Sequence, residues 1–328
     1  MSALPQYGKH LHPSETMRAV LIDRYGGPEV LRLATVPRPV PTRGQVLVRT
    51  RFIGVNPKDV IVRKGKFKIA TGKKFPLIVG HDIAGEVVQV GRGADLAKGD
   101  LVYGMINDFA GRAYAEYAAV NCQQLAKAPA SIELAVAAAV PLAAQTALQA
   151  LRDDAQLDAG QTVLINGASG GVGVFAVQIA KILGGQVTAV CSHRNLDLVT
   201  ELGADRVIDY TKTEFVELDE RFDVIFDVFG NYRFDKLKML LSRRGTYVNT
   251  IPSARIFKDV ARSFVRRKRA KLVIVKSRRD QLDWLRQQID AGRLRVVVDR
   301  TFPIADVAEA HRYMETKRAR GKVVLAVD

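Results

Sequence analysis

The run Ile165-Asn166-Gly167-Ala168-Ser169-Gly170-Gly171-Val172-Gly173 has the composition of a pyrophosphate cradle. It follows the short apolar stretch Thr162–Ile165, which predicts a buried strand. It opens into Val174–Leu183, whose apolar residues predict a packed helix closed by Gly184-Gly185. A strand, a glycine turn and a helix bring unpaired amide N–H groups and the positive end of a helix dipole to one point. That point accepts phosphate oxygens, and small residues let the backbone approach them. Two registers of the dinucleotide fingerprint are open. Ala168-x-Gly170-x-x-Gly173 has Ala in first place, and Gly171-x-Gly173-x-x-Ala176 matches literally, three residues on. The bland alternative is a tight turn with no ligand. The next strand, expected at Gln186–Cys191, favours the nucleotide.

Elements that would hold this turn follow along the chain. Between Met17 and Lys127 short strands alternate with Gly and Pro, as in Arg18–Ile22, Gln45–Thr50, Ile83–Gly91 and Leu101–Gly104, and this predicts a barrel-like β domain. Helical segments start at Ser131 and Ala143. From Gln161 strands and helices alternate. Six strands, at Thr162–Ile165, Val187–Cys191, Arg206–Asp209, Phe222–Val228, Gly245–Asn249 and Leu272–Val275, predict a doubly wound parallel sheet. Asn195 is the expected N-cap of the helix after the second strand, and Gly203 its terminator. A helix at Gln281–Ala291 and strands at Arg295–Val298 and Lys322–Val327 complete the pattern.

The 328 residues suffice for two domains, and 48% hydrophobic with 26% charged residues is a globular composition. No apolar run approaches the roughly 20 residues of a membrane span. Met1–Thr16 lacks a signal-peptide core, so a cytoplasmic protein is expected. Cys122 and Cys191 are too few for a disulfide framework or a cysteine-built zinc site. A net charge of +16 favours anionic cofactors or partners.

Motifs spread along the chain resemble the medium-chain dehydrogenases/reductases, and within them the zinc-independent quinone oxidoreductase-like branch. They are Gly54-Val55-Asn56-Pro57-Lys58-Asp59, Val79-Gly80-His81-Asp82-Ile83-Ala84-Gly85, Ala113-Tyr114-Ala115-Glu116-Tyr117, Gln145-Thr146-Ala147, Gly167–Gly173 and Arg320-Gly321-Lys322-Val323-Val324-Leu325. The resemblance implies an α/β protein: a GroES-like β-barrel catalytic domain of residues 1–127 and 293–328, and a Rossmann doubly wound parallel-sheet domain of residues 128–292 that binds NADP. A homodimer is also expected. Zinc-dependent members carry a Cys-His-Cys type site. Here Asn56 stands at the first cysteine position and Leu142 near the last, so His81 alone remains and no metal site is expected.

The same resemblance implies cofactor contacts from Asn56, Thr146, Ala168, Ser169, Gly170, Gly171, Val172, Gly173, Phe229, Gly230, Asn249, Thr250 and Lys322. Asn56 is also the expected catalytic residue, reaching the nicotinamide ribose or the substrate carbonyl. Its alternative role is that of a turn residue before Pro57. After the second strand stands Cys191-Ser192-His193-Arg194-Asn195, with no acid to hold a ribose diol. Ser192 can bond a 2′-phosphate and Arg194 can pair with its charge. Tyr210 matches a third contact, and together they favour NADPH over NADH. Arg194 could instead be an ordinary surface arginine.

The expected reaction is hydride transfer from NADPH to a quinone or an α,β-unsaturated carbonyl, because such acceptors need no metal to activate them. Relatives with a Tyr in the loop after Asn56 have a phenolic acid there. This chain has Arg63-Lys64-Gly65-Lys66-Phe67, so no proton donor is assigned. A second reading is a reductase-fold binding protein that uses its basic surface for RNA, a membrane or a partner protein. It rests on residues 255–279, which hold eleven basic residues against one acid, Asp259. Ile256, Val260 and Phe264 recur at helical spacing beside Phe257, Ala261 and Val265, with Lys258, Arg262 and Arg266 on another face. The apolar stripe could pack on the sheet or a dimer partner. Alternatively, the segment could meet an anionic lipid or RNA surface.

Overall fold

A computed structural model describes residues 15–72, 74–264 and 267–327. It divides into two compact units. The first holds the chain up to Leu142, Lys276–Gln287 and Val298 onward; the second holds Ala143–Val275 and Gln288–Val297.

Among the described residues eight strands precede Ala128: β1 (Thr16–Ile22), β2 (Arg32–Pro37), β3 (Gln45–Val55), β4 (Leu77–Ile78), β5 (Asp82–Val90), β6 (Leu101–Met105), β7 (Tyr117–Asn121) and β8 (Leu125–Lys127). The eleven residues of β3 make it the spine of this unit, since β5 and β7 both pair with it antiparallel. Val46, Val48, Ile53 and Val55 of β3 are fully buried with Ile83 and Val87 of β5, and this apolar face anchors the core. The helix Pro57–Arg63 leaves the end of β3 directly. Asn56 is its N-cap and Pro57, with φ already set for helix, its first residue.

In the second unit come β9 (Thr162–Asn166), β10 (Gln186–Cys191), β11 (Arg206–Asp209), β12 (Phe222–Asp227), β13 (Leu241–Asn249) and β14 (Arg269–Leu272). Their order is β11-β10-β9-β12-β13-β14, and every pair is parallel. The expected doubly wound sheet is therefore present, with its strand order reversing at β9. The helix Gly173–Ile182 follows β9 and is almost wholly buried. The edge strand β14 forms three residues earlier than Leu272–Val275. Its alternating pattern, Arg269 and Lys271 outward and Ala270 buried, suits an edge, whereas Ile274 beyond it is exposed.

The chain returns to the first unit through β15 (Val298–Pro303), the helix Val307–Glu315 and β16 (Lys322–Ala326). Arg295–Val297 do not form the expected strand. The backbone of Arg295 instead bonds the side chain of Gln178 on both sides, its N–H to Oε1 at 2.7 Å and its carbonyl from Nε2 at 2.9 Å. The larger sheet runs β15-β16-β3-β5-β6-β8, with β7 also on β3. A closed barrel was expected, and among the described residues the pairing path stays open. β1 pairs with β2 and β4 in a separate three-stranded sheet and meets the segment before β7 through the bridge Ala19–Ala115 and flanking bonds such as Val20 N–H to the Tyr114 carbonyl at 2.8 Å.

Candidate functional site

The glycine turn begins where β9 ends. Gly167 has φ +86°, which turns the chain out of the strand, and the helix starts at Gly173. A Cβ at Gly173 would lie 2.1 Å from the Gly167 carbonyl oxygen and 2.6 Å from the Ala168 carbonyl carbon. Gly173 is thus the glycine that lets helix and turn close up. A Cβ at Gly170 would meet only the Gly167 oxygen, at 3.4 Å. This geometry matches the register Ala168-x-Gly170-x-x-Gly173, with the helix N-terminus left accessible to phosphate.

Residues past the ends of β10 and β11 flank this turn. Cys191 pairs with Asp209 in the sheet, and the Tyr210 N–H donates to the Cys191 carbonyl at 3.1 Å. Ser192 and Tyr210 therefore emerge side by side, Tyr210 being 54% exposed and Arg194 also exposed. Asn195 links the two turns, although sequence reading took it only for a cap. Its side chain makes no cap bond; its Nδ2 donates to Ser169 Oγ at 2.9 Å and to Ser192 Oγ at 3.3 Å. Each serine oxygen accepts from Asn195, so each hydroxyl proton is turned away from it as a donor. That suits an anionic ligand, and Asn195 Oδ1 is itself buried without a partner among the described residues. Asp209 is an acid that the reading of the β10 end does not include. Thr211 donates to it from its hydroxyl and its N–H, which holds its carboxyl below the usual range, and its other oxygen lies 3.5 Å from His193 Nδ1.

The carboxyl ends of β12 and β13 carry Phe229, Gly230, Asn249 and Thr250. Asp227 is buried there and accepts from Asn166 Nδ2 and the Gly230 N–H, both at 2.8 Å, and from Tyr247 OH at 3.1 Å. Burial pushes its pKa up. Asn249 is tied down by donating to the Tyr247 hydroxyl and accepting from the Ile251 N–H at 2.6 Å. Thr250 Oγ1 donates to the Val228 carbonyl at 2.9 Å. Half-exposed Phe229 stands at the same sheet edge. Thr146 is buried in the helix Pro141–Leu148. A recess of about 350 Å³ lined by Thr162, Gln186, Arg206 and Phe222 opens at the opposite, amino edge of the sheet, away from all these groups.

In the first unit Asn56 lies in a buried polar network. Its N–H donates to Asp59 Oδ2 at 2.9 Å, which caps the helix. Its Nδ2 donates to the Gly54 carbonyl at 3.2 Å and to Asp82 Oδ2 at 3.0 Å, and its Oδ1 accepts from Lys322 Nζ. Both amide protons of Asn56 are thereby committed. Lys322, 3% exposed, also stands 3.7 Å from Asp82 Oδ2. Burial raises the Asp82 pKa to about 6 and lowers that of Lys322, so each is drawn towards its neutral form while their attraction opposes this. Leu142 contributes its N–H to Asp82 Oδ1 at 2.9 Å.

A second branch runs from Asp59. Its Oδ1 meets His81 Nδ1 at 2.5 Å, and its Oδ2 accepts from Tyr114 OH at 3.1 Å. Tyr114 OH lies 3.0 Å from His311 Nε2. Burial is the strongest single influence on Asp59 and raises its pKa, but the hydrogen bonds from His81 and the Asn56 N–H together with the neighbouring imidazoles outweigh it, and the carboxylate stays ionised. The tautomers follow from that charge. His81 donates Nδ1–H to Asp59. Tyr114 gives it its only proton, so His311 must donate Nε2–H. His311 Nδ1, which has no partner among the described residues, is then a lone pair, the less costly group to bury. Burial lowers the His311 pKa to about 4, which keeps this ring neutral. Arg63, at the end of the helix that Asn56 caps, is fully buried and bonds Glu315 through Nη2, while Lys64 shares that carboxylate at 3.0 Å.

The structure thus gathers the glycine turn, Ser192, Tyr210, Phe229, Gly230 and Thr250 along one sheet edge of the second unit. It joins Asn56 to Lys322 within the first. Asp59, Asp82 and Tyr114 stand in the quoted motifs and Asn195 at an expected cap, but the sequence assigns none of them, nor His311, a place in these networks. Only the three-residue spacing from Asn56 to Asp59 signals one of them, as a capping box. The zinc-enzyme pattern does not fit these side chains, because Asn56 is bound to Asp82 and Lys322, and Leu142 offers only its backbone. Among the described residues no three His, Cys, Asp or Glu side chains are grouped to hold a metal ion. The nucleotide pattern does fit: a glycine at the helix start that a Cβ would block, and two hydroxyl donors beside it.

Two family descriptions match the chain, an alcohol dehydrogenase GroES-like domain over residues 42–130 and a zinc-binding dehydrogenase over residues 202–325. The chain is 36% identical to a chloroplastic NADPH-dependent alkenal/one oxidoreductase of Arabidopsis thaliana, covering 94% of this chain and 79% of that protein. The structure of a quinone oxidoreductase from Coxiella burnetii superposes with a TM-score of 0.88 at 28% identity, covering 95% of this chain and all of that one. A structure described as an NAD-dependent alcohol dehydrogenase gives a TM-score of 0.82 at 30% identity, covering 95% of this chain and 100% of that one. With the open sheets of the first unit, the parallel sheet of the second and the glycine turn between β9 and its helix, this likeness shows that the chain belongs to the NAD(P)-dependent medium-chain dehydrogenases/reductases, in their zinc-independent quinone oxidoreductase-like branch.

Proposed function

We propose that the protein is an NADPH-dependent reductase of quinones or α,β-unsaturated carbonyls. The observation that carries the cofactor half is the end of β10, where Ser192 and Arg194 stand in place of an acid and Asn195 turns the Ser192 and Ser169 hydroxyls outward as donors. The names of the Arabidopsis and Coxiella relatives support the acceptor half.

Bound NADPH supplies the hydride. The chain's own residues bind and orient. Gly170, Gly173 and the first turn of the helix receive the pyrophosphate. Ser192, Arg194 and Tyr210 receive the 2′-phosphate, a charge-assisted set. Phe229, Gly230, Thr250 and Thr146 are the proposed contacts for the nicotinamide half, at the carboxyl edge where open α/β sheets hold ligands. Asn56 and Lys322, both of the first unit, are the remaining proposed contacts. Lys322 holds Asn56 Oδ1, so the amide keeps one orientation. For Asn56 to stabilise a developing enolate or quinol anion, it must release the Gly54 or Asp82 bond.

The test is NADPH oxidation against a panel of quinones and alkenals, with NADH and a chelator as controls. Turnover with at least one class, NADPH ahead of NADH and no loss on chelation, is expected. Turnover of simple alcohols only, or activity that vanishes on chelation, would overturn the reading.

A further inference from the structure

The helix Ala254–Ser263, running on into its C-cap Phe264, uses only one of its two apolar stripes. Ile256 is buried and Val260 packs beside it in the core of the second unit, next to β14. Phe257 is 54% and Phe264 77% exposed, and Ala261 between them is exposed too. At about 100° per residue, Phe257, Ala261 and Phe264 fall within about 60° of arc. Ile256 and Ser263 lie about 100–120° round to one side of that stripe, and Lys258, Arg262 and Arg255 about 100–160° to the other. The helix therefore presents three faces in order: one sunk in the protein, one apolar and open, one cationic and exposed. Its single acid, Asp259, is only partly exposed, on the inner half. Arg269 of β14 adds a guanidinium 5.8 Å from the Phe264 ring centre and donates to the Phe264 carbonyl at 3.0 Å.

We propose that this helix docks the protein on an anionic lipid surface, with Phe257 and Phe264 entering the headgroup boundary and Lys258, Arg262 and Arg255 bonding lipid phosphates. The order of faces is that of an interfacial helix, apolar side down and cations beside it. Long Lys and Arg stems reach back to the phosphate level while their methylenes stay in the apolar zone. A second copy of the chain fits less well. An antiparallel pairing of the two helices about a two-fold axis would put the cationic faces of both copies on the same side. Two phenylalanines and an alanine are also far short of the about 800 Å² per partner of a stable interface. Single-stranded nucleic acid fits less well because the two rings are about 10.5 Å apart along the axis, too far for neighbouring stacked bases.

Flotation with vesicles tests this. The intact protein is mixed with phosphatidylcholine vesicles, and with vesicles of phosphatidylcholine and phosphatidylglycerol in a three-to-one ratio, at low and moderate salt. Binding to the anionic vesicles only, weakening as salt rises, is expected. Lys258→Gln with Arg262→Gln should lower partitioning about 30-fold. Phe257→Ser with Phe264→Ser should lower it by at least about 30-fold. All four side chains are exposed, and thermal melting checks that the variants fold. A Phe264→Trp variant gives an independent reading, since the fluorescence it adds to that of Trp284 should be quenched by brominated lipid. The proposal fails if the wild type ignores anionic vesicles at low salt, if either double variant binds unchanged, or if the added indole signal of the Phe264→Trp variant is not quenched. It also fails if light scattering shows a wild-type dimer that the Phe double variant splits while neither binds vesicles, or if single-stranded RNA binds where vesicles do not. Vesicle binding needs no turnover, so its failure leaves the reductase reading untouched.

Discussion

Two regions, the cluster around Asn56 in the first unit and the β10 edge in the second, treat their polar groups in opposite ways. In the first, Asn56, Asp59, Asp82, Tyr114 and Lys322 are buried and bond chiefly one another. In the second, the turn after β9 and the ends of β10 and β11 leave hydroxyl, guanidinium and amide donors at the surface. A buried network with its donors spent fixes geometry and charge state. A row of donors held in place but not spent is what the proposed cofactor site requires. The comparison teaches that chemical residue type is a poor guide to role: Asn56 and Asn195 are both buried, yet one has both amide protons locked within a charged cluster and the other orients two serines towards solvent.

The comparison breaks first at Lys322. Removing it by Lys322→Ala leaves Asp82 buried without its ion pair, which should cost about 3–5 kcal/mol in urea unfolding. Adding Asp82→Asn should recover part of that loss. A Lys322→Ala protein as stable as the wild type would show that the network is not what holds the unit.

His311 offers a pH test of the same network. Its folded pKa, about 4, is depressed below the ordinary value near 6.5, so between these values the unfolded chain binds the extra proton. Stability from this group is present above about pH 6.5 and is lost as pH falls. Between pH 7 and pH 5 the wild type should lose about 2 kcal/mol more than His311→Gln, read from urea midpoints at both pH values. Parallel losses in the two proteins would place the His311 proton equilibrium near that of free histidine. Asp82, raised to about 6, works the other way between about pH 4 and 6, and comparing the two proteins cancels it.

At the open edge the effects are smaller and specific. Arg194→Ala should weaken NADPH about tenfold, the lower end for a charged hydrogen bond because the side chain is exposed, with NADH unchanged. Ser192→Ala should cost NADPH about fivefold. Asn195→Ala should weaken both cofactors, because Ser169 loses its orientation along with Ser192. Isothermal titration with each cofactor separates these outcomes, and equal losses for both cofactors in Arg194→Ala would remove that residue from the phosphate site.

Much of this was legible in the sequence. Strand and helix periods gave the six-stranded parallel sheet, and glycine placement gave the tight turn between β9 and its helix, because both are local signals. The open pairing of the first unit was not, since β1 and β3 carry similar apolar patterns and only long-range hydrogen bonding decides which sheet each joins. The chain from Asp59 through Tyr114 to His311 was invisible because its members come from three separated segments. The residues between 255 and 265 show the limit most clearly. Their apolar positions were read as one stripe, but Ile256 and Val260 face the core while Phe257 and Phe264 face solvent. Adjacent positions on a helix differ by about 100°, so composition alone cannot separate them. Val265 and Arg266 lie outside the described residues.

The most direct measurement compares dissociation constants of NADPH and NADH for the wild type and for Ser192→Ala with Arg194→Ala combined. NADPH should bind the wild type at least about tenfold more tightly, and the double variant should lose that preference while keeping its NADH affinity. Equal affinities in the wild type, or a preference that survives the double change, would contradict the assignment of the β10 edge to the 2′-phosphate.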